Sequence, residues 1–415
     1  MTNTPVKDND QFQVLIVGSG PVGLLLANLL GQKGVSCLLI DKRTVRPEWS
    51  RAIGITPPSL GILEQADLHH HFIRRGVHVR NACVHDDYGY AGRVNFDDIS
   101  AAFHYILAIP QADNMEILEK KLDDSEHVVF ECGRRLTSVN CCNDSVHAAF
   151  IDEKTGCRTD VSGKWLIGCD GSSSTTRELA GIPFRRRSYK PRFVMADYYD
   201  TTDWQDDAHL FFTKEGSLES FPLHDKRRRW VALVTQKEGE ADAVFLERQT
   251  KRLSNQNLEG RRCSKVFDFI PELIKVSSLY KDRVILAGDS AHVMTPIGGQ
   301  GMNTGFGDAE YLSNILPVLL EAGEGINADD LLQAYNRCRQ KAAGASRRHT
   351  ASGMWFGVQT GSFASDVRSF LLRRVLLKGP LSRRLASSFA MLTVPYNRFN
   401  PHIRVNAKLL SLRKR

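Results

Sequence analysis

Residues 13–23 read QVLIVGSGPVG, and this stretch decides how the rest of the chain is interpreted. Its first half, residues 13–17, is a short apolar run with the composition of a buried strand. Glycines follow at positions 18, 20 and 23, and a second apolar run, residues 24–30, has the length of a helix. The spacing G-x-G-x-x-G has its meaning in this context, between a strand and a helix.

Each glycine of this motif has its own physical task. Gly18 allows the tight turn, Gly20 lets a pyrophosphate come against the backbone, and Gly23 lets the helix pack closely on the sheet. The first turn of the helix, with Pro21 and Val22, presents unpaired N–H groups and a partial positive charge to phosphates. The motif therefore predicts a site for a dinucleotide.

The next strand of the same unit supports this prediction. Residues 36–40 are a second strand pattern, and Asp41 stands at its end, followed by Lys42 and Arg43. An acid about twenty residues after the glycines is where the adenosine ribose hydroxyls bind. Because an acid there disfavours a 2′-phosphate, the sequence predicts NAD or FAD at this site rather than NADP.

Two later stretches repeat the pattern of a strand that ends in glycine and aspartate. Residues 165–173 read WLIGCDGSS, with Asp170-Gly171 before a helix start. Residues 284–306 read VILAGDSAHVMTPIGGQGMNTGF, with Gly288-Asp289 at a strand end and several helix breakers after it. A core helix avoids such residues, so we expect a ligand to approach this backbone closely.

In order and spacing, the three motifs resemble those of class A FAD-dependent monooxygenases, the aromatic hydroxylases of the phenol and hydroxybenzoate type. The resemblance extends from about residue 13 to about residue 335. It implies an α/β fold: a Rossmann-like FAD-binding domain of the GR2 type, an inserted mixed or antiparallel β-sheet substrate domain, and a helical C-terminal region. The implied limits are 11–77, 111–184 and 281–345 for the FAD-binding parts, 78–110 and 185–280 for the substrate domain, and 346–415 for a basic helical region.

The resemblance also implies roles for particular residues. Asp289 would accept hydrogen bonds from the ribityl chain, and Pro296 would lie beside the flavin where oxygen reacts. A helix starting near Gly301 would direct its N–H groups at the edge of the ring that is anionic when reduced. Arg51 and the Asp170 segment would serve both FAD and a transient NAD(P)H. The predicted cofactor-binding residues are Gly18, Gly20, Pro21, Val22, Gly23, Asp41, Lys42, Arg43, Arg51, Gln111, Asp170, Gly171, Gly288, Asp289, Pro296, Gly298, Gly299, Gly301, Met302 and Asn303.

Strands are predicted near residues 193–199, 209–212 and 230–234, and with residues 80–105 they would form a sheet over the flavin. The predicted catalytic residues are Arg51, Pro296, Tyr198 and His224. A base or relay for a phenol is expected from Tyr198, Tyr199, His224, Tyr105 or His104, with none of them singled out by the pattern.

The activity implied by the resemblance is hydroxylation of an aromatic substrate, phenol-, quinone- or polyketide-like. NAD(P)H would reduce bound FAD, O2 would add to give a flavin C4a-hydroperoxide, and one oxygen would pass to an electron-rich carbon. A halogenase, an epoxidase or a polyprenyl reductase on the same fold remains open, although the halogenase element W-x-W-x-I-P does not occur. A flavin-binding regulatory or interaction protein is the third alternative.

Composition and charge restrict the remaining possibilities. The chain has 415 residues, 42% of them hydrophobic, and nine cysteines without a C-x-x-C pair. These features predict a cytoplasmic protein with reduced thiols and no metal site. The consecutive residues 69–71, HHH, point to different faces of a helix and do not predict a metal site either. The arginine runs 185–187 and 227–229 are expected to be solvated.

The net charge of +8 is concentrated at the C-terminus. Residues 361–415 contain twelve lysines and arginines and one acid, Asp366. A solvated helical tail packed on the domain is one interpretation, and contact with an anionic membrane or phosphate-bearing surface is the other. Nucleic acid is not expected, because no recognisable binding module accompanies the charge. The sequence leaves the oligomeric state undetermined.

Overall fold

A computed structural model of the chain describes residues 6–45, 52–234, 242–321, 327–395 and 398. The predicted residue Arg51 lies outside these ranges. The strands are β1 (Gln11–Val17), β2 (Cys37–Asp41), β3 (Gly54–Ile55), β4 (Val77–Val79), β5 (Asn81–Asp86), β6 (Gly89–Asn95), β7 (Ile106–Ala108), β8 (Val128–Cys132), β9 (Arg134–Cys141), β10 (Val146–Asp152), β11 (Arg158–Gly168), β12 (Phe184–Ser188), β13 (Arg192–Tyr199), β14 (Ala208–Thr213), β15 (Gly216–Leu223), β16 (Arg227–Val234), β17 (Phe267–Phe269), β18 (Glu272–Val276), β19 (Tyr280–Lys281), β20 (Val284–Leu286) and β21 (His292–Val293). The α-helices are α1 (Pro21–Gly31), α2 (Pro57–Gln65), α3 (His69–Arg75), α4 (Gln111–Leu122), α5 (Thr175–Leu179), α6 (Ala243–Ser254), α7 (Gln300–Glu321), α8 (Ala328–Gly357), α9 (Ser362–Leu371) and α10 (Gly379–Phe389).

The first sheet is built around β1. Its main path runs β19-β20-β11-β1-β2-β8, and β20, β11, β1, β2 and β8 are parallel along it. Parallel strands covered on both faces are apolar throughout rather than alternating, which explains the continuous run of β1 from Val14 to Val17. Helices α1 and α7 pack together on this sheet.

The second sheet has the order β17-β13-β16-β15-β14-β5-β6 and is antiparallel except where β14 meets β5. Its outer face packs against α6 through side chains that include Trp230, Phe245 and Leu246. Its inner face packs against the C-terminal helices through Phe212 and Leu372, among others. A short sheet, β3-β7-β4, lies beside this inner face, since β15 contacts both β4 and β7.

One expectation about this sheet is wrong. Arg228 and Arg229 are buried, whereas the run 227–229 was expected to be solvated. Arg228 pairs with Asp200 at 3.0 Å on one face, and Arg229 pairs with Asp197 at 2.6 Å on the other. Both faces of β16 are covered by protein, so a charged strand residue must be paired within the fold.

The C-terminal helices α8, α9 and α10 follow the nucleotide-binding pieces, and a π-helical turn, Leu372–Leu376, continues α9. Sheets of mixed orientation with a helical C-terminal region confirm the predicted α/β fold class. The residue limits of the domains stay a prediction. Among the described residues, no helix is long and apolar enough to cross a membrane.

Candidate functional site

The three predicted motifs meet at one edge of the first sheet. Val17 of β1 lies opposite Gly168 of β11, and Gly168 lies opposite Leu286 of β20. Beyond the strands, the Cys169 N–H donates to the Val17 carbonyl at 2.7 Å, and the Ala287 N–H donates to the Gly168 carbonyl at 2.9 Å. Because all three strands are parallel, their carboxyl ends form one edge, where open α/β sheets bind ligands.

The glycines of these motifs are packed against one another. Gly18 has φ +106°, and a Cβ on it would lie 2.5 Å from the Cys169 carbonyl oxygen. A Cβ on Gly23 would lie 1.9 Å from the Gly18 oxygen, and one on Gly288 would lie 3.0 Å from the Val22 side chain. The contacts at Gly18 and Gly23 are too close for any side chain larger than hydrogen, and at Gly288 the left-handed φ of +63° favours glycine as well. The three turns therefore pack as a single structure.

Gly20 and Gly171 differ from the other motif glycines because a Cβ on either would meet no protein atom within 4 Å. Gly20 is the N-cap of α1, and Pro21 occupies its first turn without an N–H to contribute. The N–H groups of Val22 and Gly23 are thus left to face a phosphate. This open side beside a helix N-terminus fits the pyrophosphate of a dinucleotide such as FAD.

Asp41 organises the first glycine turn. Its carboxylate accepts from the Ser19 N–H at 2.8 Å and from the Arg43 Nε at 3.0 Å. Burial raises the pKa of Asp41, but the hydrogen bonds from Arg43 and Ser19 outweigh it and leave the pKa below its usual value. Lys42 is exposed beside it. Binding of the ribose hydroxyls by Asp41 stays a prediction.

Asp170 caps the short helix α5, accepting from the Ser174 hydroxyl at 2.5 Å and the Thr176 N–H at 2.9 Å. Arg177, fully buried in the same helix, donates to the Ser172 and Ser290 carbonyls at 2.9 Å each. It thereby ties the Asp170 segment to the Gly288 turn. The sequence did not predict this role of Arg177, because the Ser290 carbonyl is 113 residues away along the chain.

The loop before α7 turns at Pro296, whose carbonyl accepts from the Gly299 N–H at 2.9 Å. Gly298 and Gly299 have φ values of +77° and +62°, in the left-handed region. Helix α7 then begins at Gln300, one residue before the predicted start. Asp289 is exposed at the base of this loop.

Asn303 holds the start of α7 in place. Its side-chain amide donates to the Gly54 and Gly299 carbonyls at 2.8 and 2.7 Å, and its oxygen accepts from the Thr56 N–H at 2.9 Å. The side chain is therefore occupied by the protein, and backbone N–H groups are what Gly301 and Met302 offer to a ligand. Met302 contacts Asn114 of α4 through its sulfur at 3.5 Å. Gln111 is the first residue of α4 and is half-buried.

A buried charge cluster that the sequence did not predict packs against the loop that precedes α7. Asp308 is fully buried and lies 2.5 Å from the Arg339 Nε and 2.7 Å from the His292 Nε2. It also accepts from the Gly288 N–H at 2.8 Å. Burial raises the pKa of Asp308, but His292 and Arg339 outweigh it and hold the pKa at about 2. An acid within the small-residue stretch NTGFGDAE was the available signal.

The structure does not bring Tyr198 to this edge. Tyr198 lies on the outer face of the second sheet, packed with α6, and its hydroxyl donates to Glu247 at 3.2 Å. His224 lies at the β15–β16 turn, with Asp113 at 2.8 Å and Asp225 at 2.6 Å from its two ring nitrogens. It joins the second sheet to α4 two residues from Gln111. Tyr199 is exposed, whereas Tyr105 is buried and stacks on His78.

One acid on the inner face of the second sheet was also missed. Glu219 is in the middle of β15, surrounded by protein but not fully closed to solvent. Burial raises the pKa of its carboxyl to about 7. The described residues contain no group of three or more His, Cys, Asp or Glu side chains that could hold a metal ion.

Comparison with known proteins supports the assignment of this sheet edge as a FAD site. The family described as "FAD binding domain" matches residues 11–350, which is most of the chain. The chain therefore belongs to this family, that of the class A FAD-dependent monooxygenases, and its cofactor is FAD.

Among curated proteins, the chain is 30% identical to 6-methylpretetramide 4-monooxygenase of Streptomyces rimosus over 338 residues, covering 79% of this chain and 58% of that protein. It is 26% identical to the protein named "Uncharacterized aromatic compound monooxygenase YhjG" of Bacillus subtilis, covering 94% of this chain and 79% of that protein. For pentachlorophenol 4-monooxygenase of Sphingobium chlorophenolicum the identity is 26%, with coverages of 82% and 64%. The chain thus spans less than two thirds of the first and third of these relatives.

Among solved structures, p-nitrophenol 4-monooxygenase PnpA of Pseudomonas putida DLL-E4 is similar with a TM-score of 0.83 at 21% identity, covering 92% of this chain and 98% of that one. The flavin-dependent monooxygenase PieE, solved with FAD and substrate, has a TM-score of 0.74 at 17% identity, with coverages of 95% and 74%. At these identities the similarity establishes the fold.

Substitution of Gly20 should mainly weaken FAD binding, whereas substitution of Gly18 should mainly lower the stability of the FAD-free protein. Gly20→Val places its side chain in open space, so the free energy of unfolding of the FAD-free protein should fall by about 1 kcal/mol or less. FAD affinity should fall at least about tenfold, because the side chain fills the pyrophosphate side. Gly18→Ala should instead destabilise the FAD-free protein by about 1–3 kcal/mol or more through backbone strain and the clash with Cys169. Urea unfolding and FAD titration separate the two effects, and equal loss of stability in both variants would contradict this assignment.

Asp308→Asn should cost about 3–5 kcal/mol of stability, because it leaves the buried guanidinium of Arg339 without its counter-charge. The variant should also lose FAD during purification, since Asp308 fixes the Gly288 N–H. The matched control is Asp98→Asn, which changes an exposed acid and should stay within about 0.5 kcal/mol of the parent protein. A stable Asp308→Asn protein with full FAD content would show that the cluster does not support the loop.

Proposed function

We propose that this chain is a FAD-dependent monooxygenase that consumes NAD(P)H and O2 to hydroxylate a small aromatic substrate. The observation that carries the proposal is the packing of the Gly18, Asp170 and Gly288 turns at one sheet edge. When bound, FAD supplies the chemistry of accepting a hydride and activating oxygen. Two of the three curated relatives are longer than the part that this chain matches, so their activities and substrates are carried over to this chain only as a proposal.

The chain's own residues would bind and orient the cofactor. The first turn of α1 would hold the pyrophosphate, and the first turn of α7 would direct N–H groups at the charged edge of the ring. Catalytic roles for Arg51, Pro296 and His224 remain proposals, with Arg51 outside the described residues. Tyr198 would need its hydroxyl to leave the outer face, so we no longer place it in the site.

Exclusion of water would come from apolar packing between the loop and the second sheet. Ile297, next to Pro296, and Val231 of β16 pack against the same apolar cluster, which contains Met354 of α8. This cluster joins the loop, the inner face and α8. Excluding water protects reactive species from hydrolysis and strengthens electrostatic interactions within the site.

The substrate class rests on the relatives. The names include pentachlorophenol 4-monooxygenase and a 3-(3-hydroxy-phenyl)propionate hydroxylase, so we expect a hydroxylated arene here. We propose a cytoplasmic location, because the cysteines in the described part of the chain form no disulfide bond.

The purified protein should be yellow with one FAD per chain. NAD(P)H oxidation should accelerate at least about tenfold with a substrate, which corresponds to about 1.4 kcal/mol of barrier. One O2 should be consumed per hydroxylated product in an oxygen-electrode experiment. Reduction of a substrate without O2 consumption would instead support a reductase on the same fold, and a protein that cannot bind FAD would refute the proposal.

We also propose that the C-terminal region contacts an anionic membrane surface. Phe363, Val367, Phe370 and Leu371 form one exposed apolar face of α9, since their spacing follows the helical repeat. The opposite face buries Arg368, which donates to the Thr213 carbonyl at 2.7 Å. This arrangement inverts the usual pattern of a surface helix.

Exposed basic side chains follow this apolar face along the chain. Arg374, Lys378, Arg383 and Arg384 are exposed in the same region, as is Trp355 of α8. Aromatic and apolar side chains beside exposed cations are typical of helices that lie in the interface of anionic membranes.

Sedimentation with lipid vesicles tests this contact. The protein should bind phosphatidylserine-containing vesicles at least about tenfold more tightly than phosphatidylcholine vesicles, because each cation near the surface contributes about 1 kcal/mol, and salt should weaken binding. Phe363→Ser with Phe370→Ser should abolish it, whereas Val244→Ser, which changes an exposed apolar residue on α6, should not. Binding that is absent, or equal on both lipids, would refute the contact.

A further inference from the structure

Glu219 occupies the centre of the inner face of the second sheet. On β15 its neighbours Leu218 and Ser220 face outward, Leu218 into the cluster with Trp230, whereas Phe221 faces inward. Since strand residues alternate between faces, Glu219 points inward with Phe221. The residues opposite it on β14 and β16 are Leu210 and Val231.

These neighbours place Glu219 on the face of the second sheet that also meets the loop before α7, the loop that holds the flavin ring in the proposed function. Val231 packs in the same cluster as Ile297, which adjoins Pro296. Leu210 and Phe221 pack in the cluster that contains Ile106 and Ala108 of β7. The inner face that carries Glu219 thus also packs with the Pro296 loop and with β7.

The other inner-face carboxylates differ from Glu219 in having partners. Asp86 pairs with Arg373 at 2.7 Å, and Asp197 pairs with Arg229 at 2.6 Å. Among the described residues, no hydrogen bond or ion pair reaches the Glu219 side chain. Its neighbours on this face are Leu210 and Val231 on the adjoining strands and Phe221 on its own strand, and Arg229, which pairs with Asp197, lies opposite Phe221.

A carboxyl group in this position is costly for the fold. Burial without a hydrogen bond disfavours the charged form, which explains the rise of its pKa to about 7. A leucine or methionine would fit an apolar setting without that cost. Glu219 is nevertheless accessible enough to line a space rather than to be sealed within the core. An unpartnered polar group in an apolar cleft is the usual means of orienting a ligand.

We propose that Glu219 recognises the substrate, accepting a hydrogen bond from a hydroxyl or amino group on the aromatic ring and rejecting rings that carry a carboxylate at that place. This inference rests on the proposed function and adds the substrate class to it: neutral hydroxyarenes or aminoarenes, not arylcarboxylates. Two carboxylates facing each other in an apolar site repel strongly, whereas a hydroxyl donor satisfies the buried oxygen. Glu219 acts here by binding and orienting the ring.

Equilibrium dialysis of the FAD-loaded protein with two matched pairs of probes tests the inference. The pairs are 4-methylphenol with 4-methylbenzoate, and 2-naphthol with 2-naphthoate. In at least one pair the phenol should bind at least about tenfold more tightly than the carboxylate at about pH 8, and the preference should shrink toward about pH 6 as Glu219 takes up a proton. Glu219→Gln should bring the ratio below about threefold and remove its pH dependence, since the amide keeps the shape without the charge.

Glu215→Gln is the matched control, because Glu215 lies on the same hairpin but pairs with Arg252 at the surface. It should retain the preference and the pH dependence of the parent protein. Equal binding of phenol and carboxylate, an unchanged ratio in Glu219→Gln, or no binding of any probe would overturn the inference. If the parent protein still holds FAD and oxidises NAD(P)H with a substrate, such a result refutes the role of Glu219 and leaves the proposed function standing.

A Glu219→Gln protein that fails to fold is replaced by Glu219→Asp. We expect this variant to bind phenols more weakly and to retain the pH dependence. Unaltered phenol binding would count against the role.

Discussion

The site depends on the alignment of three parallel strand ends in one sheet. Two backbone hydrogen bonds, from Cys169 to Val17 and from Ala287 to Gly168, continue the pairing of β1, β11 and β20 past their last residues. The ends of β11 and β20, which are about 150 and 270 positions from the end of β1 along the sequence, are thereby placed beside it. Glycine is required where their turns touch, as at Gly18 and Gly288, and it leaves room for a ligand where they do not, as at Gly20 and Gly171.

Two buried arginines fix this arrangement. Arg177 links the Asp170 segment to the Gly288 turn through carbonyl oxygens, and Arg339 holds Asp308 beneath the loop that precedes α7. Buried ionic groups of this kind are poor sources of net stability, but removal of one partner is strongly destabilising. They make one geometry of the turns much more favourable than others. A cofactor site needs such support, because its groups must be held in position before the ligand arrives.

The sequence could predict the features that depend on local backbone chemistry. The strand, turn and helix around Gly18 follow from short-range patterns, and so do the breakers between Gly288 and Gly301. Contacts between residues that are distant in the chain could not be predicted from such short-range patterns. In the sequence, Arg228 and Arg229 have the pattern of a solvated charge run. They are buried because other parts of the protein pack on both faces of β16. Tyr198 and Glu219 show the same limit, since alternation along β13 and β15 does not say which face of each strand meets the loop.

Hydrogen exchange with and without FAD tests the central claim, that three distant loops bind one cofactor, most directly. FAD should slow exchange of backbone amides in residues 18–23, 170–176 and 288–303 together, with the same dependence on FAD concentration for all three segments. Residues of β14, in the second sheet, should change little. Protection confined to the first segment, or three segments with different FAD dependences, would contradict the account.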